Sequence, residues 1–263
     1  MSRPGKPRPK APESRALARV DDEAAFLASY DASAFPRPSV AVDVVLLAVD
    51  EAGLLTLLVP RAEHPYIGAY ALPGGFVGID EALDAAASRV LADKAGYTGV
   101  FLEQLYTFGS PRRDPRTRVI SVAYYALLAL PRVGEPALGD RAKWGRVDVP
   151  WEAETGGPVM VKEIGPGERA MVLAFDHAHI LGMAVKRLRG KLDYSPIGFQ
   201  LLPERFTLLD LQRVHEIVLD RPLNKDSFRR RMLASGQLEA TGEHHQGGGR
   251  PAELYRFVRR SAV

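Results

Sequence analysis

Two short stretches of this sequence hold the side chains best suited to chemistry. In the first, Leu72-Pro-Gly-Gly-Phe-Val leads into residues 81–95, an alanine-rich run of helix formers that carries Glu81, Arg89, Asp93 and Lys94 and stops at Gly96. The amides of Gly74 and Gly75 can cradle an anion, and basic groups beside such a loop supply the charge a phosphate ligand needs. In the second, Asn224 is a strong N-cap for a helix that carries Lys225, Ser227, Arg229, Arg230 and Arg231, with Phe228, Met232 and Leu233 available as an apolar seam. Donors on one side and a seam on the other let a helix meet DNA while it packs on its own domain.

The elements that position these groups can be read outward from them. From Ser39 to Val49 the chain is apolar and β-branched, breaks at Asp50-Glu-Ala-Gly and resumes at 54–59, which predicts a strand pair joined by a turn. Two more β-rich runs, 100–108 and 119–128, flank Gly109-Ser-Pro-Arg-Arg-Asp-Pro-Arg-Thr-Arg, whose arginines are candidates to face a ligand. Loops and short strands are expected over 131–167, then a helix over 176–189. Further on, Thr207-Leu-Leu-Asp has the form of a capping box, and Leu208, Leu211, Val214, His215 and Val218 fall at helical spacing. Strands at 238–241 and 254–258 then flank His244-His-Gln-Gly-Gly-Gly-Arg, with His245 and Arg250 in its turn. Helix, turn, helix, hairpin is the order of a winged helix.

A chain of 263 residues with 46% hydrophobic side chains exceeds the usual length of one domain and has enough apolar material for a core. Four segments are expected: a basic, Pro-rich tail disordered at its start, 1–36; a ligand-sensing domain, 37–175; a helical linker, 176–202; and a DNA-binding domain, 203–263. The absence of cysteine excludes disulfides, thiolate metal ligands and a Cys nucleophile, and fits a cytoplasmic protein. The longest apolar run, 119–130, is far short of the ~18 residues of a membrane span, and the first twenty residues lack the apolar stretch of a signal peptide. A net charge of +3 permits a polyanionic partner. Adjacent His244 and His245 cannot readily share one tetrahedral ion, so no metal is expected there.

The segment 75–97 resembles the Nudix box: Gly75, Glu81, Arg89, Leu91, Gly96 and Tyr97 fall in register with its pattern, and the strand positions over 39–130 match as well. The box places three carboxylates at i, i+3 and i+4 of one helix face to hold divalent cations that activate a pyrophosphate. Those positions here are Val90, Asp93 and Lys94. Hydrolysis by that mechanism is expected to be crippled, so no catalytic residue is assigned and no metal is required. Binding can outlive catalysis, and the ligand site is expected at Arg61, Gly74, Gly75, Phe76, Arg89, Asp93, Lys94 and Arg118, with Arg112 and Arg113 as alternatives to Arg118. Lys94 either replaces the lost metal charge against a diphosphate or is an ordinary solvated lysine. Glu81 is either a weak metal ligand or a first-turn acid favoured by the helix dipole, and Arg89 either meets ligand or braces the helix. Tyr66, Phe76 and Phe108 are either stacking surfaces for an adenine or core.

Phe199-Gln-Leu-Leu-Pro-Glu-Arg-Phe-Thr-Leu, Phe228-Arg-Arg and Arg250-Pro-Ala-Glu-Leu-Tyr-Arg-Phe resemble the Nudix-related regulators of NAD metabolism, the NrtR family, as does Arg37-Pro-Ser-Val-Ala-Val-Asp-Val-Val at the other end. The fold so implied is an α/β (α+β) Nudix fold, a mixed sheet sandwiched by helices, followed by an α+β winged helix-turn-helix domain. The resemblance also implies a homodimeric repressor that binds a palindromic operator near NAD biosynthesis or salvage genes and takes ADP-ribose or a related NAD derivative as effector. DNA contacts are expected from Asn224, Lys225, Ser227, Arg229, Arg230, Arg231, His245 and Arg250. The rival is an active, metal-dependent ADP-ribose pyrophosphatase.

Overall fold

A computed structural model describes residues 23–129, 141–245 and 251–258. The chain divides into two units, 1–37 and 38–263. In the first, α1 (Glu23–Ser29) is followed by a 3-10 turn, Ala32–Ala34, whose N-cap Asp31 accepts from the Ser33 amide. The segment expected as tail therefore holds regular structure in its second half, while its basic start lies outside the described residues.

The second unit is built on β1 (Ser39–Asp50), a strand with almost no polar side chain because both of its faces are covered. It pairs in parallel with β6 (Val119–Leu128) and antiparallel with β2 (Gly53–Pro60), and the sheet continues outward to β5 (Phe101–Phe108) on one side and to β7 (Lys143–Asp148) and β8 (Met160–Glu163) on the other. Two short strands, β3 (Tyr70–Ala71) and β4 (Gly74–Phe76), pair with β2 and β1 and bring the glycine loop against the central strand. Asp50 closes the β1–β2 turn by accepting from the amides of Ala52 and Gly53 at 2.9 and 2.8 Å.

Side chains alternate across β1, so each face buries its own set. Val42, Val44, Leu46 and Ala48 pack on α2 (Leu83–Ala95) through Ala86, Ala87, Val90 and Leu91. Gly96 ends this helix in the left-handed region, at φ 73°, as its place after the last helical residue predicts. Val45, Leu47 and Val49 face α3 (His177–Leu192), whose Ile180, Leu181, Ala184, Val185 and Leu188 are all fully buried. Residues 177–192, expected as linker, are thus the second covering layer of the sheet. Helices on both faces of a mixed sheet are the layering that the Nudix resemblance implies.

The remaining elements form the winged helix. In α4 (Leu208–Leu219) the capping box is reciprocal: Thr207 Oγ1 accepts from the Asp210 amide at 3.1 Å and Asp210 Oδ2 from the Thr207 amide at 2.9 Å. Helix α5 (Lys225–Ala234) and the hairpin of β9 (Leu238–His245) and β10 (Ala252–Phe257) follow, with both strands longer than the sequence pattern predicts. Leu211, Val214, Val218, Phe228 and Tyr255 join the same apolar cluster as α3, so the winged helix shares a core with the sheet's second face.

Candidate functional site

A cavity of about 470 Å³ opens where the glycine loop meets β1. Asp43 is the sole acid in the apolar run of β1 and lies opposite Gly74, where a Cβ would collide with its carboxylate. Glycine at 74 is therefore a packing requirement. Asp43 accepts from Ser121 Oγ at 2.5 Å and from Arg113 at 3.2 Å, and its other oxygen lies 3.6 Å from His177 Nε2. Arg113 also grips Asp176 with two bonds, at 2.7 and 3.0 Å, and its side chain is only 4% exposed. Burial opposes the Arg113 cation, but the hydrogen bonds and charges of Asp176 and Asp43 outweigh it and hold the guanidinium above its usual value. His177 Nδ1 accepts from the Leu72 amide at 2.9 Å, which leaves the ring proton on Nε2, toward Asp43.

Around this buried floor the cavity wall is cationic and aromatic. Arg61 lies over the Phe175 ring at 4.8 Å, and Arg116 sits 6.0 Å from the centre of Phe76 and 5.9 Å from that of Phe175. Asp114 takes up Arg116 at 2.7 Å, whereas Arg61 and Lys94 line the cavity with no ion pair among the described residues. Of the residues expected to meet ligand, Arg61, Gly74, Gly75, Phe76 and Lys94 line this space, and Arg89, Asp93 and Arg118 do not. Arg89 instead binds both oxygens of Glu81, at 2.7 and 2.8 Å, and the Phe76 carbonyl at 3.1 Å, bracing the glycine loop on α2. Arg118 donates to the Ser110 carbonyl, and Arg112 is exposed away from the cavity. Tyr66 meets Phe175 edge-on at 4.8 Å, and Phe108 packs with Tyr106 at 5.4 Å on β5.

Glu81 differs from expectation for a clear reason, and Val90 has a packing role. Glu81 precedes the helix, which starts at Leu83, so its charge serves the loop and not the helix dipole: hydrogen bonds from Arg89 and the Gly78 amide hold it down at about 2. Val90 is 1% exposed and sits beneath Gly75, where an added Cβ would touch its Cγ2 at 3.2 Å. Asp43, Phe175 and His177 were absent from the sequence-based set, and Arg116 entered it only as one of the loop arginines. Among them, only Asp43 carries a signal, since a lone acid inside a buried strand needs a partner.

The second candidate surface is α5. Asn224 Oδ1 caps it by accepting from the Ser227 amide at 2.9 Å. Lys225, Ser227, Arg229, Arg230 and Arg231 are exposed, and the four cations make no ion pair among the described residues. Phe228 is buried and Met232 partly so, but Leu233 is 44% exposed, which corrects the expected seam: with the short helix crossing α4, only one turn's apolar side reaches the core. His245 is exposed at the tip of β9, and Arg250 lies outside the described residues. Under α5, the buried His215 ring meets Phe228 edge-on at 5.1 Å.

Burial pushes both His177 and His215 below their ordinary value of 6.5. The unfolded chain therefore takes up protons near pH 6.5 that the folded chain refuses, and stability present above that pH is lost as the pH falls toward the depressed folded values. The expected loss is up to about 1.4 kcal/mol per pH unit for each histidine. Urea unfolding between about pH 7.5 and 5.5 checks this, and an unchanged midpoint would show that neither ring is kept neutral by the fold.

Over 239 residues the chain is 36% identical to the "ADPR responsive transcriptional repressor NtrR" of Acinetobacter baylyi, an alignment spanning 90% of this chain and 88% of that one. The chain belongs to the NrtR family. The family described as NrtR DNA-binding winged helix domain matches residues 198–257, which contain α4, α5 and both wing strands, and the NUDIX domain family matches residues 37–157. The crystal structure of Shewanella oneidensis NrtR complexed with a 27mer DNA aligns with a TM-score of 0.68 at 34% identity, covering 83% of this chain and 93% of that one. A MutT/nudix family protein from Enterococcus faecalis aligns with a TM-score of 0.73 at 25% identity, covering 92% and 94%. In this NrtR-family chain both candidate surfaces thus fall within matched domains, apart from Phe175 and the start of α3.

Proposed function

We propose that this NrtR-family protein is an ADP-ribose-responsive transcriptional repressor. It binds operator DNA through α5 and the wing and takes ADP-ribose, or a related NAD derivative, in the cavity beside Gly74 and Gly75. The observation that carries this reading is the union in one chain of a cavity lined by Arg61 and Lys94, two cations outside any ion pair among the described residues, and a capped helix with four exposed ones. The ADP-ribose-responsive repression for which the Acinetobacter baylyi relative is named and the DNA bound by Shewanella oneidensis NrtR support it. Two copies would present α5 to half-sites spaced by ~34 Å in a palindrome near NAD biosynthesis or salvage genes.

The cavity senses without hydrolysing. A divalent cation needs several hard oxygen ligands. Where the Nudix box has three carboxylates, this chain has a buried Val90, an Asp93 outside the cavity lining and a Lys94 within it. These residues do not fit the metal, and Glu81 is already engaged by Arg89. Among the described residues no group of three His, Asp or Glu side chains could hold an ion. Lys94 is the charge that meets the diphosphate in its place.

Fluorescence anisotropy on a duplex from the protein's own upstream region, at fixed salt, tests the reading. Selective binding that changes with ADP-ribose is the expected result, and weak, unselective binding would remove the repressor assignment. Lys94→Glu should weaken ADP-ribose binding by roughly ten- to a hundredfold, because it replaces attraction by repulsion beside the phosphates. An unchanged affinity by calorimetry would make Lys94 a solvated bystander. Metal-dependent cleavage of ADP-ribose would overturn the non-hydrolytic assignment.

A further inference from the structure

We infer that Arg189 is the positioning residue that carries pocket occupancy to the DNA-binding helices, an inference that rests on the repressor reading above. Helix α3 begins at the cavity and ends at the winged helix. At its start, His177 lines the cavity and Asp176 is held by Arg113, which also lines it. Its 16 residues span about 24 Å. Its middle is clamped, since Ile180, Leu181 and Ala184 are fully buried and a Cβ at Gly182 would collide with the Gly157 carbonyl. A packed helix so held moves as a body, because interfaces of this kind shift between discrete arrangements and do not deform smoothly. Displacement at Asp176 is therefore felt near its last turn.

Arg189 stands there, 2% exposed. No carboxylate lies within ion-pair distance of it among the described residues, and burial lowers its pKa, with Asp220 opposing the shift. An arginine remains charged even so, and burying that charge is costly unless its donors are met. Three of its N–H bonds reach carbonyls on two separate parts of the fold. Nε donates to Val218 at 2.8 Å, and Nη1 to Ala153 at 2.9 Å and Trp151 at 3.3 Å, with the guanidinium 4.9 Å above the Trp151 ring.

The Val218 carbonyl needs such a donor. It is in the last turn of α4, and the residue four positions on is Pro222, which has no amide proton to offer. A cation at this end also suits the helix dipole. Helix α4 in turn carries α5: Glu216 accepts from the Leu223 amide at 2.8 Å, just before the Asn224 cap, and His215 packs on Phe228. The path runs from Arg113 and Asp176 along α3 to Arg189, across to Val218, and on to the helix that faces DNA.

The test compares operator affinity with and without saturating ADP-ribose in the full chain. For Arg189→Met, operator affinity without ligand and ADP-ribose affinity without DNA should each stay within about threefold of the parent, while the ratio between the liganded and free operator affinities falls toward one. Arg189→Lys keeps one donor and should retain an intermediate ratio. A full ratio in Arg189→Met overturns the inference and leaves the repressor reading intact. A ratio of one in the parent protein overturns both. Should Arg189→Met not fold, hydrogen exchange of the parent decides: ADP-ribose must alter protection of amides 217–221, and unchanged protection there beside altered operator affinity overturns the inference.

Discussion

Arg113→Met should destabilise the folded chain by about 3 kcal/mol, the low end of the range for removing one partner of a buried ion pair. The substitution leaves the volume nearly filled but strands two carboxylates. Asp43 keeps Ser121 and the neighbouring His177, whereas Asp176 loses both of its bonds from Arg113. Asp176 is 22% exposed, so water can partly replace what it loses, which is why the low end applies. The loss should shrink as the pH is lowered from neutral, because burial keeps His177 unprotonated and the charge of Arg113 adds to it, so without Arg113 the ring protonates more readily beside Asp43. Urea unfolding at two pH values measures both effects. A loss below about 1 kcal/mol, equal at both, would mean that the cluster is screened by water and that the arginine does not organise the cavity floor.

The double substitution Arg229→Ala and Arg230→Ala should lower operator affinity by on the order of a hundredfold or more, since each side chain supplies a charge-assisted contact worth about 1–3 kcal/mol. Both are exposed on α5, apart from the buried Phe228 that anchors the helix, so folding should be little affected. The dependence of log affinity on log salt should flatten by about 0.9 for each phosphate contact removed. Anisotropy at several salt concentrations separates the outcomes. Loss of affinity with an unchanged slope assigns the arginines to base edges, and a flatter slope assigns them to phosphates. Unchanged affinity and slope would show that DNA is met elsewhere.

The parts of this molecule legible in its sequence are those whose cause is local. A run rich in β-branched and apolar residues, ended by a turn signal, fits a strand covered on both faces, and β1 is one. Thr207 with Asp210 three residues later closes on itself, and Asn224 caps α5, because both devices use hydrogen bonds across three positions. The substitution pattern of the box, Val90 and Lys94 where acids belong, is equally a matter of spacing on one helix. The glycine loop and the free lysine could therefore be placed beside one another before any tertiary contact was known.

The arginines were a different problem. Residues 109–118 hold four of them, and nothing local distinguishes Arg113, which turns inward, from Arg112 or Arg118, which do not. The partners that decide it, Asp43 and Asp176, are 70 and 63 positions away. Arg89 looks like a ligand contact until Glu81 and the Phe76 carbonyl are seen to use its donors. Phe175 and His177 reach the cavity because the second covering helix happens to begin there.

Sequence alone thus determined the main strands and helices and two of their caps, the Val90 and Lys94 that stand at acid positions of the Nudix pattern, and the resemblance to the family. Tertiary structure alone decided which charges are spent on one another and which remain for a ligand, and it turned an expected linker into a core helix shared by both halves. The physical reason is the range of the interactions. Backbone propensity and capping act over a turn or less, whereas the pairing of buried charge depends on which distant segments the apolar core brings within hydrogen-bonding distance.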